Sequence, residues 1–347
     1  MTRPLLTILF LIIVGTIYAQ SEFTSIYKVY NLPTSARIAG LGGKAVAIPE
    51  PDINFATANP SALSHTMSNQ IALNVTNHLV GINYGNIMWG YSLKQRGNIA
   101  IGIQYLNYGT IDRMDEFGYN QGTYGGRDFM FSLIWSKELF KYVNIGAAVK
   151  PIFSKVDIYN SNGVIFDLGA HFYHPRFGTM VSFVVKDLGT QMKPYIDGHY
   201  EDIEPDIQLG VSIRLKHAPF RFSLVLHSLN KWDLLITNKN VSEPNNTDLT
   251  PEEIEIDYVN KGLENFLRHA ILGVEIMPVK AFYLQVGYNF QRRGELKTIS
   301  KQALTGVSFG FGIKIKKFNI SYAHSNYHLS QGTNHISLST NLNNLFR

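Results

Sequence analysis

The sequence predicts an all-β protein: an exported transmembrane antiparallel β-barrel of about fourteen strands with an N-terminal hatch or plug segment. Three observations predict it. Segments of about ten residues in which apolar and polar side chains alternate recur from residue 70 onward. The chain has 19 Tyr, 21 Phe and 29 Gly but only 16% charged residues, a composition suited to strands, membrane interfaces and tight turns. Its first nineteen residues have the pattern of a secretory signal.

The N-terminus shows the parts of a cleavable signal peptide. Met1–Arg3 is short and basic, Leu5–Thr16 is apolar, and a cleavage point follows Ala19. The apolar stretch is too short for a spanning helix, and no stop-transfer pattern comes after it. Residues 1–19 are therefore assigned to a signal peptide, although Ile17 leaves the cut uncertain by a few positions.

Composition excludes several classes of site and partner. The sequence has no cysteine, so it has no disulfide, no thiolate metal site and no lipid-modified cysteine that would hold it at a membrane. The net charge of +5 is spread along the chain and lacks the concentrated basic patch of a nucleic-acid binder. A hydrophobic fraction of 45% suits a barrel, because lipid-facing and lumen-facing residues alternate and cancel.

Strict alternation over residues 207–216, 282–291 and 306–316 predicts the strands. One face carries Val, Ile, Leu and Phe, and the other carries Gly, Ser, Gln and Lys, as expected for lipid outside and a polar lumen inside. A soluble β-sandwich also alternates, but the length of the segments and the aromatic residues near their ends favour the barrel. The predicted strands are 70–78, 83–94, 97–107, 127–137, 142–156, 163–174, 177–187, 205–216, 219–229, 268–277, 280–291, 302–316, 317–326 and 333–342.

The remaining segments predict the domain organisation. Residues 20–69 do not alternate and suit a hatch folded into the lumen, which leaves residues 70–347 for the barrel. Long connections are predicted at 108–126, 188–204 and 230–267. In the last, an N-cap pattern at Thr250 followed by Pro251 predicts a short helix to about Phe266, either a solvated loop helix or a surface for partner docking. Its acidic cluster is Asp248, Glu252, Glu253, Glu255 and Asp257.

Two short motifs resemble those of enzymes. Gly306–Gly310 has the spacing G-x-S-x-G, but alternation continues through it, so Ser308 is predicted to face the lumen and not to form a nucleophile elbow. The Gly-Gly-Lys sequence ending at Lys44 fails as a phosphate-binding loop, because Ile38 and Ala45 stand where the motif needs Gly and Ser or Thr.

Histidines form two groups, without nearby carboxylates that would complete a metal site. Even spacing places His324 and His328 on one face of a strand, where both are expected to point inward. The interpretation favoured for all of them is hydrogen-bonded lumen or rim histidines. We therefore predict no catalytic, cofactor-binding or metal-binding residues and no cofactor. The two groups are His324, His328 and His335, and His171 and His174.

Several stretches resemble a known family of barrels. NLPTSARIAGLGG (31–43) followed by FATANPSAL (55–63) is similar to the N-terminal signature of FadL-like β-barrels, which have fourteen strands and an N-terminal hatch. Within that superfamily, residues 30–37, 81–92 and 321–342 most resemble the PorQ-type barrels of the type IX secretion system of Bacteroidetes. One departure is the C-terminus, where the aromatic Phe346 is penultimate.

The resemblance implies a non-enzymatic role at the outer membrane of a Gram-negative bacterium. PorQ-type barrels hold a PorZ-like surface protein, with PorU and PorV in one attachment complex that processes secreted cargo and attaches it to lipopolysaccharide. The resemblance carries no catalytic residues over. A FadL-like transporter of hydrophobic small molecules is the alternative function, and a barrel enzyme such as a lipase or protease is a third.

Overall fold

A computed structural model describes residues 26–234, 258–295, 304–326 and 332–345. Within them, fourteen antiparallel strands form a closed barrel in which each strand pairs with its sequence neighbours and β14 pairs with β1. The signal peptide, the acidic cluster and His328 lie outside the described residues. The predicted all-β barrel with an N-terminal segment inside it is confirmed.

Every strand lies at a predicted position. The strands are β1 (Gln70–Asn77), β2 (Asn83–Ser92), β3 (Asn98–Met114), β4 (Asn120–Phe140), β5 (Val143–Val156), β6 (Tyr159–His174), β7 (Thr179–Lys193), β8 (Asp206–Arg214), β9 (Phe220–Leu226), β10 (Ala270–Val279), β11 (Phe282–Asn289), β12 (Val307–Ile315), β13 (Phe318–Ser325) and β14 (Thr333–Asn341).

The barrel also contains short helices. The α-helices are Ala36–Gly40, Tyr258–Arg268, Phe290–Glu295 and Leu342–Leu345, and the 3-10 turns are Lys28–Asn31, Ile53–Thr57, Pro60–Ala62, His65–Met67, Leu79–Gly81 and Lys94–Arg96. None of the helices in the described ranges is long and apolar enough to cross a membrane.

The alternation seen in the sequence becomes the two faces of the wall. Asn, Gln and Ser side chains on the inner face, such as Asn74, Gln104 and Ser308, are buried. The outer face is an apolar belt of exposed side chains, which in water would be unfavourable and in lipid is required. Belt residues include Ile101, Ile103, Phe129, Phe131, Leu133, Phe153, Phe166, Leu168, Phe183, Phe222, Val286, Phe309, Phe311 and Ile336.

The two ends of the barrel differ. The short-turn end holds the start of β1, the end of β14 and the tight turns 93–97, 141–142, 175–178, 215–219, 280–281 and 316–317. The long-loop end holds the connections 194–205, 227–269, 290–306 and 326–332. Because outer-membrane barrels have short periplasmic turns and longer external loops, the long-loop end is the external end.

The predicted long connection 108–126 is wrong in most of its length. β3 and β4 continue as a hairpin whose turn is only residues 115–119. Asp115 closes the turn, because its Oδ1 accepts hydrogen bonds from the N–H groups of Phe117 (3.0 Å) and Tyr119 (2.8 Å). β7 similarly extends into the predicted connection 188–204. Alternation fails as a signal there, since above the bilayer both faces of a strand meet water.

The helix predicted in the connection 230–267 is present in its described part. It spans Tyr258–Arg268 and ends two residues beyond the predicted Phe266. Arg268 closes its last turn through an ion pair with Glu264 at 2.8 Å. The predicted N-cap at Thr250 lies outside the described residues and stays a prediction.

Candidate functional site

The hatch, residues 26–69, runs lengthwise through the lumen. At the external end, Ile26 N–H donates to the carbonyl of Asp202 (3.2 Å). At the short-turn end, Asn69 N–H donates to the carbonyl of Gly90 (2.7 Å). The segment therefore enters at the outer rim and reaches β1 at the inner rim.

Local capping makes the hatch a series of short helical turns. Ser35 caps the helix Ala36–Gly40 by accepting from Ile38 N–H (3.3 Å). Asn59 caps Pro60–Ala62 through Ser61 N–H (3.0 Å), and proline suits the first position of that turn. Small residues keep these turns narrow, which lets the backbone pack close to the wall.

Glycines of the wall make room for the hatch. A Cβ at Gly287 of β11 would lie 2.1 Å from the amide nitrogen of Gly42. At Gly146 of β5 it would lie 2.4 Å from the carbonyl carbon of Pro60. At Gly169 of β6 it would lie 2.3 Å from Oδ1 of Asn59. The glycines that the sequence places on the lumen face are thus contact points between wall and hatch.

Four charged side chains, three of them buried and Glu50 half-buried, join the hatch to the wall, and we call them the charge latch. Arg37 Nη2 of the hatch lies 2.9 Å from Glu275 Oε1 of β10. Arg221 Nη1 of β9 lies 2.7 Å from Glu275 Oε2 and also pairs with Glu50 of the hatch. Two cations face two carboxylates, so the latch is neutral. Such buried ions are stable only when mutually paired.

The latch also fixes the ionisation of its hatch residues. Burial alone would raise the pKa of the Glu50 carboxyl, but Arg37 and Arg221 outweigh burial and hold that pKa below its ordinary value. For Arg37, burial lowers the pKa, and Glu275 more than restores it. Arg37 also lies over the ring of Tyr283, 4.4 Å from its centroid.

Further polar pairs tie the outer half of the hatch to the wall. Lys44 Nζ lies 2.5 Å from Asp206 Oδ2 of β8. Asn31 Nδ2 donates to Asp187 Oδ2 (2.6 Å). The Tyr27 hydroxyl lies 2.6 Å from Ser161 Oγ of β6. These contacts reach the neighbouring strands β6, β7 and β8, so the outer half of the hatch is held on that side of the barrel.

Between hatch and wall remains a small cavity of about 50 Å³. Its lining mixes Met88 and Met130 with the polar side chains of Gln104, Lys150 and Lys186. A cavity of this size holds water, whereas an apolar cavity of roughly 150 Å³ is needed to bind a benzene ring. In this structure the lumen is plugged.

The histidines are dispersed rather than gathered. The expectation that His324 points inward is wrong: it lies opposite Phe309 on the outer face, with ring centroids 5.4 Å apart. His335 is the inward residue and lies 3.0 Å from the hydroxyl of Thr76. His171 faces the lumen, 2.9 Å from Ser61 Oγ, whereas His174 packs against Phe177 at the short-turn end.

The two motifs that resemble those of enzymes lie in ordinary surroundings. Ser308 is a buried, lumen-facing residue within β12, with straight strand on its C-terminal side. Lys44 belongs to the hatch and is paired with Asp206. In the ranges that the structure describes, no group of three or more His, Asp or Glu residues is arranged to hold a metal ion.

The charge latch was missed from the sequence. Arg221 of β9 and Glu275 of β10 are register partners, and both face the lumen. A charged residue at an inward position, in a strand that otherwise has apolar and small residues, is the sequence signal that could have identified them. Their partners in the hatch are 171 and 238 residues away along the chain. Sequence spacing carries no information on such distant pairs.

The closed barrel and its apolar belt define an outer-membrane β-barrel of a Gram-negative bacterium, with FadL-like architecture. No protein-family model matches the chain, and no curated protein matches it. Among solved structures it is similar to the toluene transporter TodX of Pseudomonas putida, with TM-score 0.53, 10% identity, and coverage of 90% of this chain and 99% of that one. The Ralstonia pickettii toluene transporter TbuX has a TM-score of 0.51 and 11% identity, with coverage of 90% of this chain and 99% of that one. A Pseudomonas aeruginosa FadL homologue has a TM-score of 0.49 and 9% identity, with coverage of 89% of this chain and 98% of that one.

Identities this low show a shared fold and not a shared function. The likeness extends over nine-tenths of this chain. The FadL-like fold expected from the resemblance is therefore confirmed. The secretion role and its partners are taken up below.

Proposed function

We propose that this chain is a non-enzymatic anchor: a plugged PorQ-type barrel of the type IX secretion attachment complex. It would hold a PorZ-like surface protein, in one complex with PorU and PorV, where cargo is processed and attached to lipopolysaccharide. The observation that carries the proposal is the plugged lumen, with a cavity of about 50 Å³ and a hatch that the ion pairs Arg37–Glu275 and Glu50–Arg221 join to the wall. An anchor needs a rigid external surface but no path through its centre.

The β3–β4 hairpin supplies a surface for the partner. Strands rise about 3.3 Å per residue and tilt about 40°, so the tip at 115–119 stands roughly 25 Å above Tyr105, which lies at the external edge of the apolar belt. Phe117 and Tyr119 at this tip are 84% and 70% exposed. Lipid does not explain apolar exposure at that height, whereas a protein partner does.

The hairpin proposal predicts the effect of a double substitution. Phe117→Ser with Tyr119→Ser removes the exposed rings but keeps the turn, which Asp115 closes through backbone N–H groups. Recovery of the PorZ-like protein with the tagged barrel should fall at least tenfold, measured by affinity isolation and quantitative mass spectrometry.

The matched control is Phe177→Ser, an aromatic residue of similar exposure (59%) on the periplasmic turn 175–178. It should leave recovery of the partner unchanged. Cargo that is anchored normally in a strain lacking the barrel would contradict the proposed function itself. Full recovery with the double variant would contradict only the assignment of the hairpin.

A second candidate is a FadL-like transporter of hydrophobic small molecules. It is favoured by the shared fold with barrels described as toluene transporters. It requires that the hatch move, because the cavity described between hatch and wall, about 50 Å³, is smaller than the apolar cavity of roughly 150 Å³ known to bind benzene. Uptake of a long-chain fatty acid or toluene by liposomes containing the purified barrel, above that of empty liposomes, would favour this candidate over the anchor.

A further inference from the structure

A row of polar side chains crosses the outer face of four neighbouring strands at the external edge of the apolar belt. Asn107 of β3 pairs in register with Arg127 of β4, Arg127 with Lys155 of β5, and Lys155 with Asn160 of β6. Arg127 and Lys155 are exposed. They share the outward face of their strands with belt residues Phe129 and Phe153.

The height of this row follows from β4. Outward side chains from Trp135 to Phe129 are apolar, and Arg127 and Lys137 bound them on the two sides. The two cations are ten residue positions apart, which corresponds to roughly 25 Å along the membrane normal, the height of the apolar band of an outer-membrane barrel. Arg127 and Lys155 therefore lie at the level of the headgroups of the outer leaflet.

The two cations oppose each other without compensation. Side chains directly opposite in an antiparallel pair are about 5 Å apart at Cβ, and like charges there are destabilising. Neither Arg127 nor Lys155 forms an ion pair with any described residue. Asp157, a carboxylate that lines the same niche, is already paired with Arg113. An external anion would relieve the repulsion.

The wall provides space for such an anion. An open niche of about 500 Å³ is lined by Asn107, Thr110, Arg127, Lys155 and Asp157, among others. Asn107 Oδ1 is used by Gly109 N–H (3.0 Å), so its amide NH₂ is left to donate outward. The aromatic rings of Tyr105 and Phe129, with centroids 5.0 Å apart, lie directly below and suit the boundary between headgroup and acyl chains.

We propose that Arg127 and Lys155, with Asn107, form a binding site for the phosphate of a phosphorylated glycolipid headgroup in the outer leaflet. Arg127 presents a planar fork that matches phosphate oxygens, and Lys155 adds a second charge from the neighbouring strand. The site lies on the outer wall, so the acyl chains of the lipid pack on the apolar belt below it. It is independent of the hairpin tip and of the lumen.

The test uses the full-length barrel in detergent and lipid A in mixed micelles, with binding followed by native mass spectrometry. Arg127→Gln with Lys155→Gln should weaken lipid A binding roughly 25-fold, about fivefold for each cation near the surface. The matched control, Lys137→Gln with Lys141→Gln, removes two exposed cations at the periplasmic end and should bind as the wild type does. Circular dichroism checks that both variants are folded.

Two further arms identify the ligand. Lipid A from which the phosphates have been removed should bind the wild type as weakly as intact lipid A binds the Gln double variant. Excess inorganic phosphate should not displace lipid A, since the acyl chains contribute to binding. Equal affinity of wild type and Gln double variant would overturn the site, and displacement by inorganic phosphate would overturn its assignment to a lipid.

Discussion

At the scale of single residues, the charge latch determines how firmly the hatch is held. Glu275 is the central member, because it binds both Arg37 and Arg221 and is 1% exposed. Removing one partner of a buried pair leaves the other charge uncompensated, which costs much more than the pair contributes. The latch is therefore the place where a single substitution should loosen the plug.

Glu275→Gln should reduce the stability of hatch docking by about 3–5 kcal/mol. Amide hydrogen exchange measures this loss of stability: exchange should become faster in the hatch, residues 26–69, while the strands stay protected. Glu264→Gln is the control, since its pair with Arg268 is on the surface (Glu264 is 57% exposed) and should be worth less than about 1 kcal/mol. Unchanged exchange in Glu275→Gln would show that the latch does not hold the hatch.

The lowered pKa of Glu50 predicts a pH dependence. A carboxyl with a depressed folded-state pKa stabilises the folded state above its ordinary pKa of about 4.3, and this stabilisation is lost as pH falls through the folded value. The protection of the hatch, after correction for the intrinsic exchange rate at each pH, should therefore fall below about pH 4. Glu50→Gln should be less protected at neutral pH and lack this component. Burial raises the pKa of the neighbouring Asp52, and the charge of Glu50 adds to that rise, so the difference between the two profiles contains both carboxyls; identical pH profiles would rule out a role for Glu50.

At the scale of elements, the fit of the hatch against the wall depends on glycines that face it. Gly287 is the closest approach, with its absent Cβ 2.1 Å from Gly42 N. Gly287→Leu should push the hatch from β11 and open a path that tracer ions can use in planar bilayers. Gly262→Ala, on the helix Tyr258–Arg268 with nothing within 4 Å, is the control and should leave conductance at the wild-type level. Wild-type conductance of the Gly287→Leu barrel would mean that the hatch adapts to the larger side chain without leaving the wall.

The same scale shows what sequence reasoning could reach. Strands such as β8 and β12 were predictable because lipid and a polar lumen impose opposite demands on alternate residues. The external halves of β3 and β4 were not predictable from alternation, because water lies on both sides of them. The place of the hatch followed from its lack of alternation. The contacts of Arg37 and Glu50 could not be predicted from the sequence, because they depend on which strands the hatch crosses in three dimensions.

At the scale of the whole molecule, the features agree on a rigid, filled barrel whose external side carries the hairpin tip and the polar row of Asn107, Arg127, Lys155 and Asn160. The hatch begins at that external side and ends at β1, so it crosses the whole barrel. A filled barrel with a built-up outer surface is what the proposed anchoring role requires. If that role holds, the fold shared with barrels described as toluene transporters is one scaffold used for two tasks.

Affinity isolation of the tagged barrel from gently solubilised native outer membrane tests the anchoring role most directly. We expect a PorZ-like surface protein to be recovered in near-stoichiometric amount, together with PorU and PorV. Recovery of the barrel alone, with a loss of hydrophobic-compound uptake when the barrel is deleted, would contradict it.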